Sequence, residues 1–182
     1  IAELSAIGRA AGLLPTIYEN RVKALLAAHF GRLDEAKSHA MLAVECADRD
    51  GPDYMRAPVR ADVASILVQC KDFDAAEQLL AQGEALEQSS QLGVNRAEFA
   101  MARAYLSLCR GERAQMLRHL RSALTMARNP GLLGKIGFCR PGLPLLLSEA
   151  LANSIEPELV KKIIREWSVQ PRRLRIAPAV VG

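Results

Sequence analysis

The sequence predicts an all-α fold in which antiparallel helix hairpins stack into a solenoid closed by a C-terminal capping helix. Small residues recur in triads with gaps of 12 and 7, and each triad follows the last by 40 residues. Half of the 182 residues are hydrophobic but only 4% are aromatic, and the abundant Ala and Leu are strong helix formers. A fixed internal period is typical of helical repeat proteins. The triads are Ala24, Ala36 and Ala43; Ala64, Ala76 and Gly83; and Ala104, Met116 and Ala123.

The first residues of the chain have the pattern of a helix that ends. Residues 1–12 are rich in helix formers, and Gly12 is a plausible C-terminal stop. We therefore expect 1–12 to be the end of a preceding repeat. Because the chain opens at Ile1 within this pattern, we interpret residues 1–182 as a single helical-repeat domain from a longer array.

Three hairpins are expected next, at 15–50, 54–90 and 94–128. Each has an apolar first helix, a short turn and a second helix. Gly31 and Gly111 supply the helix stop in two turns, and Lys71 takes that position in the middle one. Helices in a hairpin approach to about 8–10 Å, which leaves room only for small side chains at the closest contacts.

The period breaks after Pro130. We expect capping helices over 131–168 and a linker or tail over 169–182. Pro157 suits the first turn of a helix, and Leu159, Val160, Ile163, Ile164 and Trp167 then fall on one helix face. Solenoids need such a cap, because the last repeat would otherwise expose its apolar face.

The triad spacing over residues 15–128 resembles that of tetratricopeptide repeats. This resemblance implies a right-handed superhelix of helix hairpins. The usual repeat of that family has about 34 residues, so the 40-residue period departs from it. HEAT and armadillo repeats, with periods near 40–47, are the alternative for this region.

The segment SEALANSIEPELVKKIIREWSVQP is similar to the end of the helical-repeat region in MalT-like, ATP-dependent transcriptional regulators of the LuxR family. Ser154 stands where Gly is usual in that pattern, and Leu159 stands where Tyr is usual. The matching positions are Ala150, Leu151, Ile155, Glu156, Val160, Ile163 and Ile164.

The second resemblance implies a parent protein with an ATPase module and a DNA-binding or output domain. Neither is expected within residues 1–182, because the chain has no GxxxxGK[ST] loop and no convincing helix-turn-helix. It implies a non-catalytic, cytoplasmic segment without cofactor that senses a ligand or scaffolds a partner, and that meets DNA only through a domain outside this chain. A general protein–protein adaptor without a transcriptional role is the alternative.

A binding groove follows from the tetratricopeptide resemblance, since first helices line the concave face in that family. The occupant would be a protein or a small-molecule inducer, and oligomers are possible. The alternative is that several of these side chains merely pack against neighbouring repeats. The residues carried over by the triad alignment are Tyr18, Arg21, Leu25, His29, Gln69, Glu98, Met101 and Tyr105.

Other features favour no catalytic, metal or membrane site. The net charge of +4 is spread along the chain, apart from the PRRLR run at 171–175, which we interpret as a solvated linker rather than a nucleic-acid contact. His39 and His119 share a repeat position, and the carboxylate pairs Asp48/Asp50 and Glu84/Glu87 are expected to face solvent. No apolar run approaches the 18 or so residues of a membrane span. The thiols, expected to be reduced, are Cys46, Cys70, Cys109 and Cys139.

Overall fold

The computed structural model describes residues 2–90, 93–134 and 142–170, and within these ranges the protein is helical without a strand. The prediction of an all-α fold is therefore confirmed. Cys139, the PRRLR run and the rest of the tail from residue 171 lie outside the described residues. The helices are α1 Ala2–His29, α2 Leu33–Asp50, α3 Asp53–Gln69, α4 Phe73–Ser90, α5 Arg96–Arg110, α6 Arg113–Ala127, α7 Pro130–Leu133, α8 Leu143–Ala152 and α9 Pro157–Glu166.

Consecutive helices pair into hairpins. α1 packs on α2, α3 on α4 and α5 on α6, and each pair also contacts the next through α2–α3 and α4–α5. The first helices of the hairpins form a second row of contacts, α1 with α3 and α3 with α5. The C-terminal helix α8 continues both rows, because it contacts α5 as well as α6. The middle hairpin is thus enclosed by its neighbours.

The turns inside the three hairpins share one backbone conformation. Gly31, Lys71 and Gly111 have φ angles of 74°, 62° and 77°, all in the left-handed region. Glycine adopts this conformation without strain, whereas Lys71 has a Cβ that disfavours it. The 40-residue equivalence of the three turns therefore extends from the sequence to the backbone.

The triads lie within the helix packing, as the packing argument predicts. All nine positions are buried, and seven of them are alanines without accessible surface. Met116, which occupies a place held by alanine in the other hairpins, is also buried. Small side chains at these points let the helix backbones approach, while leucines such as Leu80 and Leu120 fill the space between them.

One boundary prediction is wrong. α1 is continuous from Ala2 to His29, so no helix stop occurs at Gly12. The helix signals over 2–12 and from residue 15 onward thus belong to one helix. The assignment of residues 1–12 to a preceding repeat stays a prediction.

The C-terminal part follows the expected order. α7 is a single turn, and α8 and α9 form a short pair whose buried side chains include Leu146, Leu147 and Ile163. Pro157 is the first residue of α9. Ser154 and Glu156 in the turn before it have φ angles of 52° and 42°. A positive φ at Ser154 is the conformation that glycine adopts most easily.

Candidate functional site

The predicted groove residues divide into two groups. Tyr18 and His29 on α1 are exposed, while Leu25 and Gln69 are partly covered. Arg21, Glu98, Met101 and Tyr105 are at most 8% exposed. The structure therefore brings the second group into the packing between hairpins, which is the alternative that the sequence left open. Whether any of the eight contacts a ligand stays a prediction.

Arg21 shows what the buried positions do. Its guanidinium forms an ion pair with Asp62 of α3, and both side chains are almost fully enclosed. The same guanidinium lies 5.4 Å from the centroid of the Tyr18 ring. Arg21 thus ties α1 to α3, and its removal would leave a buried carboxylate without its cation.

Tyr105 is covered by the protein's own chain. A Cβ placed on Gly142 would lie 2.2 Å from the Tyr105 ring, so the backbone at the start of α8 rests directly on this ring. Only glycine permits such a close approach. In the third hairpin, the predicted groove position at Tyr105 is therefore covered by the protein's own backbone at Gly142.

The exposed apolar side chains concentrate on α1. Tyr18, Val22 and Leu26 follow one another at intervals of four residues along one ridge of the helix, and Phe30 follows at the same interval just after the helix ends at His29. Their exposed fractions are 50%, 52%, 50% and 68%. We call these four residues the α1 stripe.

The equivalents of the α1 stripe in the other hairpins are mostly buried. Pro58, Asp62 and Ile66 of α3 are covered, with Asp62 paired to Arg21 of the hairpin before it. In α5, the equivalents of Tyr18, Val22 and Leu26 are also covered: Glu98, Ala102 and Leu106. This face of a first helix is thus a helix-packing surface, and on α1 none of the described helices covers it.

The two aromatic ends of the α1 stripe are held by neighbours. The Tyr18 hydroxyl donates to the Met55 sulfur at 3.7 Å. The Phe30 ring meets the His29 ring edge-on at 5.2 Å and lies 5.8 Å from the Arg32 guanidinium. Side chains that are already fixed lose less rotamer freedom when a partner binds.

A second concave feature lies between α4, α5 and α6. This α4–α6 groove has a volume of about 400 Å³. Phe99, Ala100 and Met126 contribute apolar lining, and Glu84, Arg103 and His119 contribute polar lining. Volume and lining are within the range of small-ligand sites.

The charges in the α4–α6 groove are largely paired. Arg103 donates to both oxygens of Glu84 at 2.8 Å and to Glu77 at 2.7 Å. Burial, together with the positive charges of Arg103 and Arg118, lowers the pKa of His119. The neutral imidazole is therefore favoured in the folded protein.

Of the carboxylates expected to face solvent, Glu87 is buried, whereas Asp48 is exposed and paired. Glu87 is buried, and its two oxygens accept from the backbone N–H and the side-chain amide of Asn95 at 2.9 and 2.7 Å. Asp48 accepts two hydrogen bonds from Arg60 at 2.8 Å. The expectation that Glu84 and Glu87 face solvent as a pair is wrong for Glu87, which is buried against Asn95 just before α5, whereas Glu84 stays partly exposed beside Arg103.

Metal-ligand clusters and membrane-spanning helices are both absent from the described residues. Over the described ranges, no group of three or more His, Cys, Asp and Glu side chains is arranged to hold a metal ion. His39 Nδ1 lies 3.0 Å from Asn20 Oδ1. In the same ranges, no helix has the length and apolarity to cross a bilayer. Cys46 is buried and Cys109 is exposed, so the thiols differ in access.

No family model, curated protein or solved structure matches this chain. The functional argument therefore rests on the residues themselves. Val22, Leu26 and Phe30 are the exposed residues of the α1 stripe that the predicted groove did not include. The i, i+4 spacing with Tyr18 was the available signal, but spacing alone does not distinguish an open face from a covered one.

Proposed function

We propose that this protein is a non-catalytic interaction scaffold that binds a protein partner through the α1 stripe. The observation that carries the proposal is the exposure of Tyr18, Val22, Leu26 and Phe30 on a face that is covered in the next two hairpins. Ordered apolar surface on a soluble fold marks interaction sites, and aromatic anchors contribute strongly to binding.

The repeat architecture supports this role. The contacts α1–α3 and α3–α5, together with α2–α3 and α4–α5, are those expected of stacked hairpins in a right-handed, tetratricopeptide-like solenoid. We include that architecture in the proposal. Such stacks present extended surfaces for other molecules.

We further propose that the segment belongs to a cytoplasmic, MalT-like transcriptional regulator, in which it would pass a binding event to domains outside residues 1–182. The support is the SIEPELV segment and the positive φ of Ser154, at the position where that family's pattern has glycine. A general adaptor without a transcriptional role is the alternative, and sequencing of the flanking gene regions separates the two.

A small-molecule inducer is a second candidate occupant. It is favoured by the α4–α6 groove, whose apolar lining, His119 and Arg103 suit a ligand of modest size. Ligand-induced thermal shifts that Ala100→Trp abolishes would support this candidate, because the larger side chain would fill the groove.

Photo-crosslinking tests the main proposal. A crosslinking amino acid at Val22 is expected to capture a defined polypeptide when the full chain is irradiated in a bacterial extract. Leu26→Glu should abolish that product. The matched control places the crosslinker at Val94, which is exposed outside the α1 stripe. Identical products from Val22 and Val94, unaffected by Leu26→Glu, would contradict the proposal.

A further inference from the structure

We propose that the α4–α6 groove binds a small organic monoanion, a carboxylate carried on a compact apolar body. This inference rests on the proposed function, in which the groove is the second candidate site, and it names the class of molecule that enters. It is drawn from a comparison of equivalent positions in successive hairpins and from the pairing of the charges that line the groove.

Between the first and second hairpins, the space that separates α2 from α4 is bridged by one long side chain. Arg60 of α3 is buried, and its guanidinium donates to both carboxylate oxygens of Asp48 on α2 at 2.8 Å. It also donates to the side-chain oxygen of Gln82 on α4 at 3.5 Å. The chain therefore fills this position with a cation of its own.

Between the second and third hairpins, the residue equivalent to Arg60 is Ala100. Ala100 lines the α4–α6 groove together with Gln88 of α4 and Ser122 of α6. A methyl group is too short to bridge α4 and α6, so the groove of about 400 Å³ stays open. Gln88 stands at the position of Asp48, and a neutral amide there requires no cation as its partner.

The charged side chains around the groove include one cation without a carboxylate partner. Glu84 accepts hydrogen bonds from Arg103, and Glu87 accepts hydrogen bonds from Asn95. Arg96 lines the groove at the start of α5, is exposed, and forms no ion pair with any of the described residues. A guanidinium binds a carboxylate through two parallel hydrogen bonds. Because only one such cation lines the groove in the described ranges, it matches a single negative charge.

The electrostatic environment on the α6 side of the groove also favours an anion. Burial lowers the pKa of His119, and the positive charges of Arg103 and Arg118 lower it further. Glu84 and Glu112 act in the opposite direction and have smaller effects than the two arginines. The imidazole therefore lies in a region of net positive potential, which a bound carboxylate would offset.

The remaining lining suits an apolar body. Phe99, Ala100 and Met126 line the groove with carbon and sulfur, and a methionine side chain adapts to ligands of different shape. The volume is at the lower end of the range for small-molecule sites. A compact ring with one carboxylate thus combines the apolar lining with the charge of Arg96.

NMR titration of the full chain with benzoate and with the neutral benzamide tests the selection for charge. We expect benzoate to bind with a dissociation constant on the order of 1 mM, and benzamide to bind about tenfold more weakly. Arg96→Met should weaken benzoate by about tenfold, to the level of the amide, because a charge-assisted contact is lost. Arg118→Met removes an arginine that does not line the groove and should change little.

Filling the groove tests its location. Ala100→Arg introduces the residue found at the equivalent Arg60, and it should abolish benzoate binding because the new side chain occupies the site. Ala114→Arg adds the same charge at an exposed position on α6 outside the groove lining and should leave binding unchanged. Circular dichroism establishes that each variant is folded, and Arg96→Met provides a test that does not depend on Ala100→Arg.

The imidazole signals of His119, assigned by their loss in His119→Leu, give an independent readout. Bound benzoate should raise the pKa of His119 toward its ordinary value, because a nearby negative charge favours the imidazolium, whereas benzamide should not.

Three results would each overturn the inference: no benzoate binding, equal affinities for benzoate and benzamide, or benzoate binding that survives Ala100→Arg. If benzoate fails but another molecule gives a thermal shift that Ala100→Trp abolishes, the small-molecule candidate stands and this inference fails. The crosslinking experiment at Val22 tests the protein-partner proposal separately, so its failure is distinguishable from both.

Discussion

The two junctions between hairpins join equivalent helices but differ in chemistry. In the first junction, where α1–α2 packs on α3–α4, Arg21 and Asp62 form a buried ion pair. In the second junction, where α3–α4 packs on α5–α6, the equivalent residues are Ala61 and Ala102, both buried. Small residues thus fix the spacing of the stack, while the chemistry of each junction is free to differ.

Lys37 and Glu77 occupy equivalent positions with opposite charges, and each pairs with a different position of the next hairpin. Lys37 of α2 pairs with Asp72 in the turn before α4, whereas Glu77 of α4 pairs with Arg110 at the end of α5. The cation is on the earlier hairpin in the first junction and on the later hairpin in the second. Each hairpin surface is therefore matched to its own neighbour.

The largest expected effect is at the Arg21–Asp62 pair. Arg21→Ala or Asp62→Ala alone should destabilise the fold by about 3–5 kcal/mol, because each leaves a buried charge uncompensated. The double variant reproduces the alanines of the second junction and should lose clearly less than either single variant. Urea unfolding measures all three. If the double variant instead loses the sum of the two single-variant losses, two alanines do not substitute for the ion pair, and the two junctions are not equivalent in this respect.

The second junction is expected to be more sensitive to added volume. A Cβ on Gly83 would lie 2.6 Å from the buried Phe99 ring, so Gly83→Ala should cost about 1–3 kcal/mol despite the better helix propensity of alanine. The equivalent residues Ala43 and Ala123 carry that methyl group without difficulty. Phe99→Leu in the Gly83→Ala background should recover part of the loss in thermal unfolding, and a stabilised Gly83→Ala protein would contradict this packing argument.

Loss of the ion pairs nearer the surface should lower the free energy of unfolding by a smaller amount. Arg103→Met removes the contacts to Glu84 and Glu77 and should cost about 1 kcal/mol, because these carboxylates are partly solvated. The matched Lys37→Met in the first junction should cost less than that, since Lys37 is more exposed. In 1 M NaCl both losses should shrink. An Arg103→Met loss as large as that of Arg21→Ala would contradict the ranking.

The smallest expected effect is a pH dependence of the second junction. The lowered pKa of His119 means that the folded protein binds this proton less readily than the unfolded chain does. His119 therefore lowers the free energy of unfolding as pH falls below its ordinary value of 6.5 and on through the lowered folded pKa. Glu84 and Glu112 oppose the shift and so limit this loss. His119→Leu, which places the residue found at the equivalent Leu79, should make the free energy of unfolding less dependent on pH just below pH 6.5. If the pH dependence is unchanged in this variant, other groups cause it.

The helices were predictable to the extent that local signals specify them. The 40-residue period, the turn at Gly31 and its equivalents, and Pro157 at the start of α9 all depend on neighbours in the sequence. The continuity of α1 through Gly12 was not predicted, because a glycine signals only a preference that the surrounding helix formers can override.

Burial at the candidate site was harder to predict, because it depends on helices distant in sequence. Arg21 and Glu87 look like surface residues in their own helices. Their enclosure is created by Asp62, which is 41 residues away from Arg21, and by Asn95 across the α4–α5 connection. Likewise, the sequence around Tyr105 contains nothing to indicate that the backbone of Gly142 covers it.

The buried Arg21–Asp62 pair has a consequence for how the chain folds. Hairpins of similar shape can dock in the wrong order during folding, since their small-residue contacts are nearly interchangeable. If the first hairpin docked on the third, Arg21 would face Ala102 at the position that Asp62 occupies in the native stack. That misassembled species would be several kcal/mol less stable than the native one. The pair therefore favours the native docking order, because an incorrectly docked species lacks this ion pair and is short-lived.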